Sequence, residues 1–118
     1  MEWIKIFDSE ASAKATIPLT KARAVVVQGQ EICVAHTAAG LFAVDNVCPH
    51  LGDALSRGTT NYLNEIICPW HSYRFHLQTG QECRGRTQPL KRYTLEIRED
   101  GVYVGMPEKA PALEPFSD

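Results

Sequence analysis

The sequence has no long hydrophobic run and no large excess of charge, and each absence excludes a class of protein. No apolar segment approaches the roughly 18–20 residues that a membrane-spanning helix requires. The formal net charge of −2 lacks the basic field with which general nucleic-acid binders attract phosphates. Residues 1–5 lack the basic and apolar regions of a secretory signal. We therefore expect a cytoplasmic protein that binds neither membranes nor nucleic acids.

Amphipathic helical patterns are also scarce. Apolar residues at helical spacing never persist for three turns, and the short segment 9–14 is the best helix candidate. Short apolar or alternating segments occur instead, separated by turn residues, as is typical of β-strands. The strand candidates are 3–7, 24–27, 31–35, 41–44, 93–98 and 102–104, with turns at 28–30, 39–40 and 100–101. We predict an all-β fold whose base is an antiparallel β-sandwich or barrel.

The length of 118 residues fits one domain that can bury a working core without disulfides, so we expect residues 1–118 to be a single domain. Residues 48–92 are rich in Gly, Pro, Cys and His, and we assign them to a small loop-rich subdomain inserted in the β framework. Residues 106–118 carry three prolines, which do not suit a sheet, so we expect a C-terminal tail there.

Two segments of the insertion each place one cysteine close to one histidine. Residues 48–50 form Cys-x-His, and residues 68–71 form Cys-x-x-His. In a mixed-ligand [2Fe–2S] centre, two cysteines bind one iron and two histidines bind the other. Two tight turns that face each other can supply one sulfur and one nitrogen each, and prolines at 49 and 69 stiffen both turns. The candidate ligands are Cys48, His50, Cys68 and His71.

A zinc site is the main alternative, because two cysteines and two histidines also suit a tetrahedral zinc ion. Structural zinc sites usually pair Cys-x₂₋₄-Cys with His-x₃₋₅-His, and the Cys-x-His spacing departs from that rule. A cysteine–histidine nucleophile pair would leave the second pair unexplained, so we reject it. Of the other cysteines, Cys33 lies in a strand pattern and is expected to be a buried apolar residue, and a disulfide to Cys83 is disfavoured in a reducing cytoplasm.

The two segments resemble the paired ligand boxes of the Rieske iron–sulfur family. Residues 54–58 resemble the Ala-Leu-Ser-Gly stretch after the first box, and residues 73–80 resemble the strand and Thr-Gly turn after the second. Residues 89–93 are similar to the proline-containing third loop and the strand that follows it. The resemblance implies a Rieske fold and a Rieske-type [2Fe–2S] cluster. It places Cys48 and Cys68 on the buried iron, and His50 and His71 on the outer iron.

The same resemblance implies an electron carrier and not an enzyme. We expect a monomeric Rieske-type ferredoxin that moves single electrons from a flavin reductase to an oxygenase or a similar acceptor. The alternative is an accessory subunit, since the small subunit of NAD(P)H-dependent nitrite reductase resembles the chain in size and fold. We do not expect a full Rieske oxygenase, because the 118 residues leave no room for a mononuclear iron domain.

High-potential members of the family carry an extra cysteine in each ligand loop and hydroxyl groups two and four residues after the second histidine. This chain has no spare cysteine in either loop. The first hydroxyl belongs to a serine, which the long ring of Tyr73 cannot copy, and the second belongs to a tyrosine, which is replaced here by Phe75, a residue that cannot donate a hydrogen bond. Hydrogen bonds to sulfur stabilise the added electron, so we expect a potential near about −150 mV and not about +300 mV.

Charge is divided unevenly along the chain. Residues 48–92 hold six basic and three acidic residues, a net charge of +3, whereas the rest of the chain has a net charge of −5. We therefore expect the cluster end to be comparatively positive, which would help to orient a redox partner.

Overall fold

The computed structural model describes residues 1–50, 52–70 and 72–107. The end of the predicted tail, residues 108–118, lies outside the described residues. The helices and strands follow one another in chain order: β1 (Glu2–Phe7), α1 (Glu10–Thr16), β2 (Ala22–Val27), β3 (Gln30–Thr37), β4 (Gly40–Asp45), a 3-10 turn (Leu55–Arg57), β5 (Thr59–Thr60), β6 (Glu65–Ile67), β7 (Arg74–His76), β8 (Arg92–Arg98) and β9 (Gly101–Met106).

Six strands form one antiparallel sheet in the order β1-β9-β8-β4-β3-β2. Each predicted strand falls within one of these six. The turn between β2 and β3 places Gln28 and Gly29 at φ values of 53° and 77°, the left-handed conformation that a tight hairpin turn requires. Alternating apolar residues and local turns therefore explain how the sheet forms.

The two halves of this sheet also share a core. Strands β4 and β8 join them through only two residue pairs, Ala43 with Tyr93 and Val44 with Arg92. One buried cluster draws on both halves: Val27, Ile32, Ala43, Tyr93, Val104 and Met106. The halves therefore pack against each other across apolar side chains, and the predicted all-β fold with a sandwich or barrel base is confirmed.

Strands β5, β6 and β7 form a separate three-stranded antiparallel sheet within the insertion. The insertion thus contains more regular structure than the loop-rich prediction indicated. A Cβ atom at position 58 would lie 2.0 Å from the carbonyl oxygen of Ile67, so only glycine fits where the chain enters β5. The core of the insertion continues into the large sheet, because Cys33 and Val44 belong to the same buried cluster as Phe75.

The helix candidate at 9–14 corresponds to α1. The Ser9 hydroxyl caps its first turn by accepting a hydrogen bond from the backbone N–H of Ser12 at 2.9 Å. Ala13 and Ile17 bury this helix against the large sheet. Within the described ranges, no helix has the length and apolar character needed to cross a membrane. At the other end, Met106 is the last residue of β9 and not the first residue of the tail.

Candidate metal centre

The first candidate ligand loop is a closed turn between Val47 and Ala54. These two residues form an isolated antiparallel bridge. Inside the turn, the N–H of Cys48 donates to the carbonyl of Asp53 at 2.9 Å, and the N–H of Gly52 donates to the carbonyl of Cys48 at 2.8 Å. Gly52 has a φ of 77°, which explains the glycine at this position. The backbone therefore holds Cys48 in a fixed place.

A buried asparagine ties this loop to the large sheet. Asn46 accepts hydrogen bonds from the N–H of Leu55 at its carbonyl and from the N–H of Ser56 at its Oδ1, both at 2.8 Å. Its Nδ2 donates to Glu31 Oε1 at 3.0 Å. Asn46 is only 3% exposed, so water cannot easily replace its hydrogen bonds. These hydrogen bonds fix the 3-10 turn that follows the loop.

The second candidate ligand loop connects β6 to β7. The strands pair as far as Ile67 and Arg74, and the N–H of Cys68 then donates to the carbonyl of Tyr73 at 2.7 Å. Ser72 takes a φ of 56°, which turns the chain back at the tip. Cys68 therefore lies at the base of a tight turn. The fourth candidate ligand, His71, lies outside the described residues.

The two loops bring their cysteines together. Cys48 and Cys68 are 1% and 0% exposed and lie in one apolar cluster with Leu55 and Phe75. Burial and the contact with the Cys48 thiol raise the pKa of Cys68 to about 11, although a backbone hydrogen bond from Trp70 works in the opposite direction. The Cys68 thiol is therefore neutral at pH 7, and a metal that binds it must displace the proton.

The imidazole of His50 lies flat against the phenol ring of Tyr73. The ring centroids are 3.8 Å apart and the planes differ by 4°. The guanidinium carbon of Arg86 lies 3.7 Å from the centroid of the same phenol ring. Two groups cannot occupy one face of a ring at these distances, so the imidazole and the guanidinium cover opposite faces. We call His50, Tyr73 and Arg86 the three-layer stack.

A buried carboxylate fixes the guanidinium of the stack. The side chain of Glu82 has 0% exposure and accepts from Arg86 Nη2 at 2.6 Å and from Arg86 Nε at 3.1 Å. It also accepts from the backbone N–H of Arg86 at 2.7 Å and of Arg84 at 3.2 Å. These hydrogen bonds, led by those from the Arg86 side chain, lower the pKa of Glu82 to about 2 against the opposing effect of burial.

The other two cysteines lie apart from the candidate ligands. Cys33 is fully buried in β3, and burial raises the pKa of its thiol to about 12, which suits an inert core residue. Cys83 is exposed, and its sulfur accepts from Arg74 Nη2 at 3.6 Å. None of the four cysteines, all of which lie in the described part of the chain, forms a disulfide.

The described residues suit a Rieske-type cluster in their chemistry. Two adjacent buried thiols could serve as sulfur ligands away from water, and the imidazole of His50, in the same loop as Cys48, could serve as a nitrogen ligand. Among the described residues, no three His, Cys, Asp or Glu side chains are grouped closely enough to hold a single metal ion. A Rieske-type cluster does not need such a group, because each of its irons takes two protein ligands.

The two ligand loops expose apolar side chains, and the insertion also carries exposed cationic side chains. Val47 is 56% exposed and Trp70 is 52% exposed. Two of the three acidic residues of the insertion are buried: Glu82 pairs with Arg86, and Glu65 Oε1 lies 3.5 Å from Arg74 Nη1. The exposed cationic residues of the insertion include Arg57, Arg84, Lys91 and Arg92. With both pairs set aside, four basic residues and one acidic residue remain in the insertion, so its net charge is still +3.

Sequence reasoning missed the three-layer stack. The sequence patterns assign Tyr73 to the stretch after the second ligand box and Arg86 to the positive charge of the insertion, and neither assignment predicts a contact with His50. The signal available in the sequence was the spacing of four residues between Glu82 and Arg86, with a glycine between them. Gly85 has a φ of 67°, which allows the chain to fold Arg86 back onto Glu82.

Comparison with known proteins agrees with this geometry. Residues 2–105 match the family model of the Rieske-like [2Fe–2S] domain. The ferredoxin component of the naphthalene 1,2-dioxygenase system of Pseudomonas putida is 32% identical over 109 residues, which span 90% of this chain and 97% of the relative.

Two solved structures are similar over nearly the whole chain. One belongs to a complex of reduced oxygenase and oxidised ferredoxin in carbazole 1,9a-dioxygenase, with a TM-score of 0.74, 26% identity, and coverage of 92% of this chain and 96% of that chain. The other is named as an NADH-dependent nitrite reductase small subunit from Mycobacterium tuberculosis. It has a TM-score of 0.73 and 18% identity, and the match covers 87% of this chain and 93% of that chain. At that identity, the second likeness shows the fold alone.

The family match supports the iron–sulfur cluster over the zinc alternative. The ferredoxin relatives carry electrons as components of larger systems, and their names assign them no catalysis of their own. The chain therefore belongs to the family of Rieske-like [2Fe–2S] domain proteins and is a Rieske-type ferredoxin, an electron carrier.

Proposed function

We propose that Cys48, His50, Cys68 and His71 hold the cluster, with the cysteines on the buried iron and the histidines on the outer iron. The observation that carries this proposal is the meeting of the Cys48 and Cys68 thiols in one apolar cluster at the ends of two separate loops. When bound, the cluster accepts and releases one electron at a time. The buried side chains around the thiols exclude water from the sulfur ligands.

We further propose that the electron acceptor is the oxygenase of a multicomponent system. The ferredoxin relatives belong to dioxygenase systems, and one similar structure contains an oxygenase together with its ferredoxin. The exposed Val47 and Trp70 provide an apolar contact area at the ligand loops, and the exposed cations of the same insertion would attract an acidic partner surface. The electron donor in this proposal is a flavin reductase.

We also propose that the protein is a cytoplasmic monomer. Residues 1–118 form one domain in this proposal, and the cluster-binding subdomain spans about 48–92. The shared cluster of Cys33, Val44 and Phe75 supports one cooperative unit, since no boundary separates the core of the insertion from that of the large sheet. The four unpaired cysteines suit a reducing compartment.

Single substitutions test the ligand set. We expect Cys48→Ser, His50→Ala, Cys68→Ser and His71→Ala each to lose the Rieske-type electron paramagnetic resonance signal of the reduced protein and most of its iron and sulfide. Cys83→Ser is the matched control, because Cys83 is an exposed cysteine of the same insertion, and it should keep the full signal. A wild-type protein that binds about one zinc ion and no sulfide would overturn the proposal. A midpoint potential above about +100 mV would contradict the expected low value.

The accessory-subunit alternative rests on similarity of fold to the nitrite reductase small subunit. Assembly distinguishes the two functions. A monomer on gel filtration that reduces an oxygenase supports the carrier, whereas stable co-purification with a large flavin or haem subunit supports the accessory role.

A further inference from the structure

We propose that Tyr73 and Arg86 are positioning residues that fix the orientation of the His50 imidazole, and that Glu82 acts through Arg86. This inference rests on the proposed role of His50 as a ligand of the outer iron. It assigns a function to the turn at residues 82–86, which contributes no ligand itself.

The first step of the argument is the contact between the rings. At 3.8 Å and 4°, the imidazole of His50 is in van der Waals contact with the phenol over its whole face. A histidine ligand near a protein surface can otherwise rotate about its side-chain bonds. Contact with a flat ring on one face removes much of that freedom, because any tilt of the imidazole would bring it into collision with Tyr73.

The second step is the layer behind the phenol. A tyrosine ring could move away from the imidazole if nothing lay behind it. The guanidinium of Arg86 closes that side at 3.7 Å, and a guanidinium over a ring face is attractive because the face is electron-rich. The plane of the guanidinium is fixed by two hydrogen bonds to the carboxylate of Glu82.

The third step is the anchor itself. The side chain of Glu82 is fully buried, and the backbone of this residue forms an isolated β-bridge with Phe75. Phe75 belongs to the cluster that contains Cys48 and Cys68. The anchor of the stack is therefore joined to the packed core that contains the candidate sulfur ligands. The stack fixes the position of His50 relative to that core.

The stack has an electrostatic consequence as well. It places the positive member of the Arg86–Glu82 ion pair two layers from the imidazole that the proposal assigns to the outer iron. A positive charge stabilises the reduced cluster, which carries one more negative charge than the oxidised form. Removal of the charge should therefore lower the midpoint potential.

Substitution of Tyr73 tests the positioning role in the cluster-loaded protein. We expect Tyr73→Ala to broaden and shift the g-values of the reduced cluster, to change its histidine nitrogen couplings in pulsed resonance spectra, and to speed cluster loss several-fold. Tyr73→Phe keeps the ring and should restore all three properties to wild-type values. If Tyr73→Ala retains wild-type g-values and nitrogen couplings, the positioning role is wrong.

Substitution of Arg86 tests the outer layer. We expect Arg86→Gln to lower the midpoint potential, measured as a larger oxidised fraction of the cluster at a fixed ambient potential. The matched control is Arg84→Gln, which removes the same charge from an exposed side chain two residues away. Glu82→Gln removes the opposite charge of the same ion pair and should raise the midpoint potential. An equal shift in the Arg84 and Arg86 variants would show that only the net charge matters and would overturn the role of the stack.

The two proposals can fail separately. If His50→Ala leaves the two-nitrogen couplings of the reduced cluster unchanged, the proposed ligand set fails and the stack inference fails with it. If His50→Ala removes the signal while Tyr73→Ala has no effect, the ligand set stands and only the stack inference fails.

Discussion

Strands β3 and β4 of the large sheet pair over six residue positions and are joined by a short turn, whereas β5 and β6 of the insertion pair over only two. Regularity in the large sheet comes from strands of six to eight residues with many buried side chains, and four consecutive residues of β3 are buried, so both faces of this strand are covered. The strands of the insertion are too short for the burial of apolar side chains alone to fix how they pair. The two regions are therefore ordered by different kinds of interaction.

Buried polar groups supply much of the order in the insertion. Asn46 and Glu82 are each 3% exposed, and each collects hydrogen bonds from loop backbone. Loss of one partner of a buried hydrogen bond leaves the other unsatisfied, which costs more than loss of a surface contact. We therefore expect the insertion to be sensitive to small polar changes that the large sheet would tolerate.

The largest expected effect distinguishes the two cores. Phe75 is fully buried in the insertion, and Phe75→Ala should lower the free energy of unfolding by about 3–5 kcal/mol. The matched change in the large sheet is Ile32→Ala, which should cost about 2–5 kcal/mol. Denaturant titration gives the stability, and iron and sulfide analysis of the folded fraction gives the cluster content. We expect only the Phe75 variant to lose cluster content, and equal loss in both would remove the distinction between the regions.

A smaller effect is expected from the polar anchor of the first ligand loop. Asn46→Ala should lower the free energy of unfolding by about 1–3 kcal/mol, because it removes the acceptor of the half-buried Ser56 N–H, whereas water can replace the hydrogen bond to the exposed Glu31. Hydrogen exchange at the amide of Ser56 should become faster in this variant. Asn46→Asp keeps the acceptor oxygen, so it should preserve protection at Ser56 while losing the donor to Glu31. Unchanged exchange in Asn46→Ala would show that the anchor does not hold the loop.

The same contrast explains what could be predicted from the sequence. The strands of the large sheet follow from alternating apolar residues and turn pairs, which are local signals. The cysteine and histidine spacing similarly identified Cys48 and Cys68, which the structure brings together. Strands β5, β6 and β7 contain only two or three residues each, which is too few for a period of two to be recognised.

The three-layer stack could not be predicted for a different physical reason. His50, Tyr73 and Arg86 come from three separate loops, and their contact depends on how those loops fold together. The residues next to His50, Tyr73 and Arg86 in the sequence give no signal that the three side chains meet. Only the ion pair between Glu82 and Arg86 had a local spacing, and four residues of separation predicts a contact in a helix and not in a turn.

The smallest effect that we expect concerns this ion pair and its dependence on pH. The folded pKa of Glu82 is about 2, below the usual value near 4.5, so the carboxylate stabilises the fold fully above about pH 5. This contribution is lost as the pH falls towards 2, because the unfolded state binds the proton more readily than the folded state.

Glu82→Gln should therefore lower the free energy of unfolding at pH 7 by roughly 1–2 kcal/mol, a value reduced by the partial exposure of Arg86 to water. The difference between wild type and variant should shrink between about pH 5 and pH 2, as measured by urea titration at each pH. Glu96→Gln is the control in the large sheet. Glu96 pairs with Arg98 on the surface, so its loss should change stability by less than about 1 kcal/mol at every pH. A pH-independent effect of Glu82→Gln would mean that hydrogen bonding, and not the charge of the carboxylate, holds the turn at residues 82–86 against Tyr73.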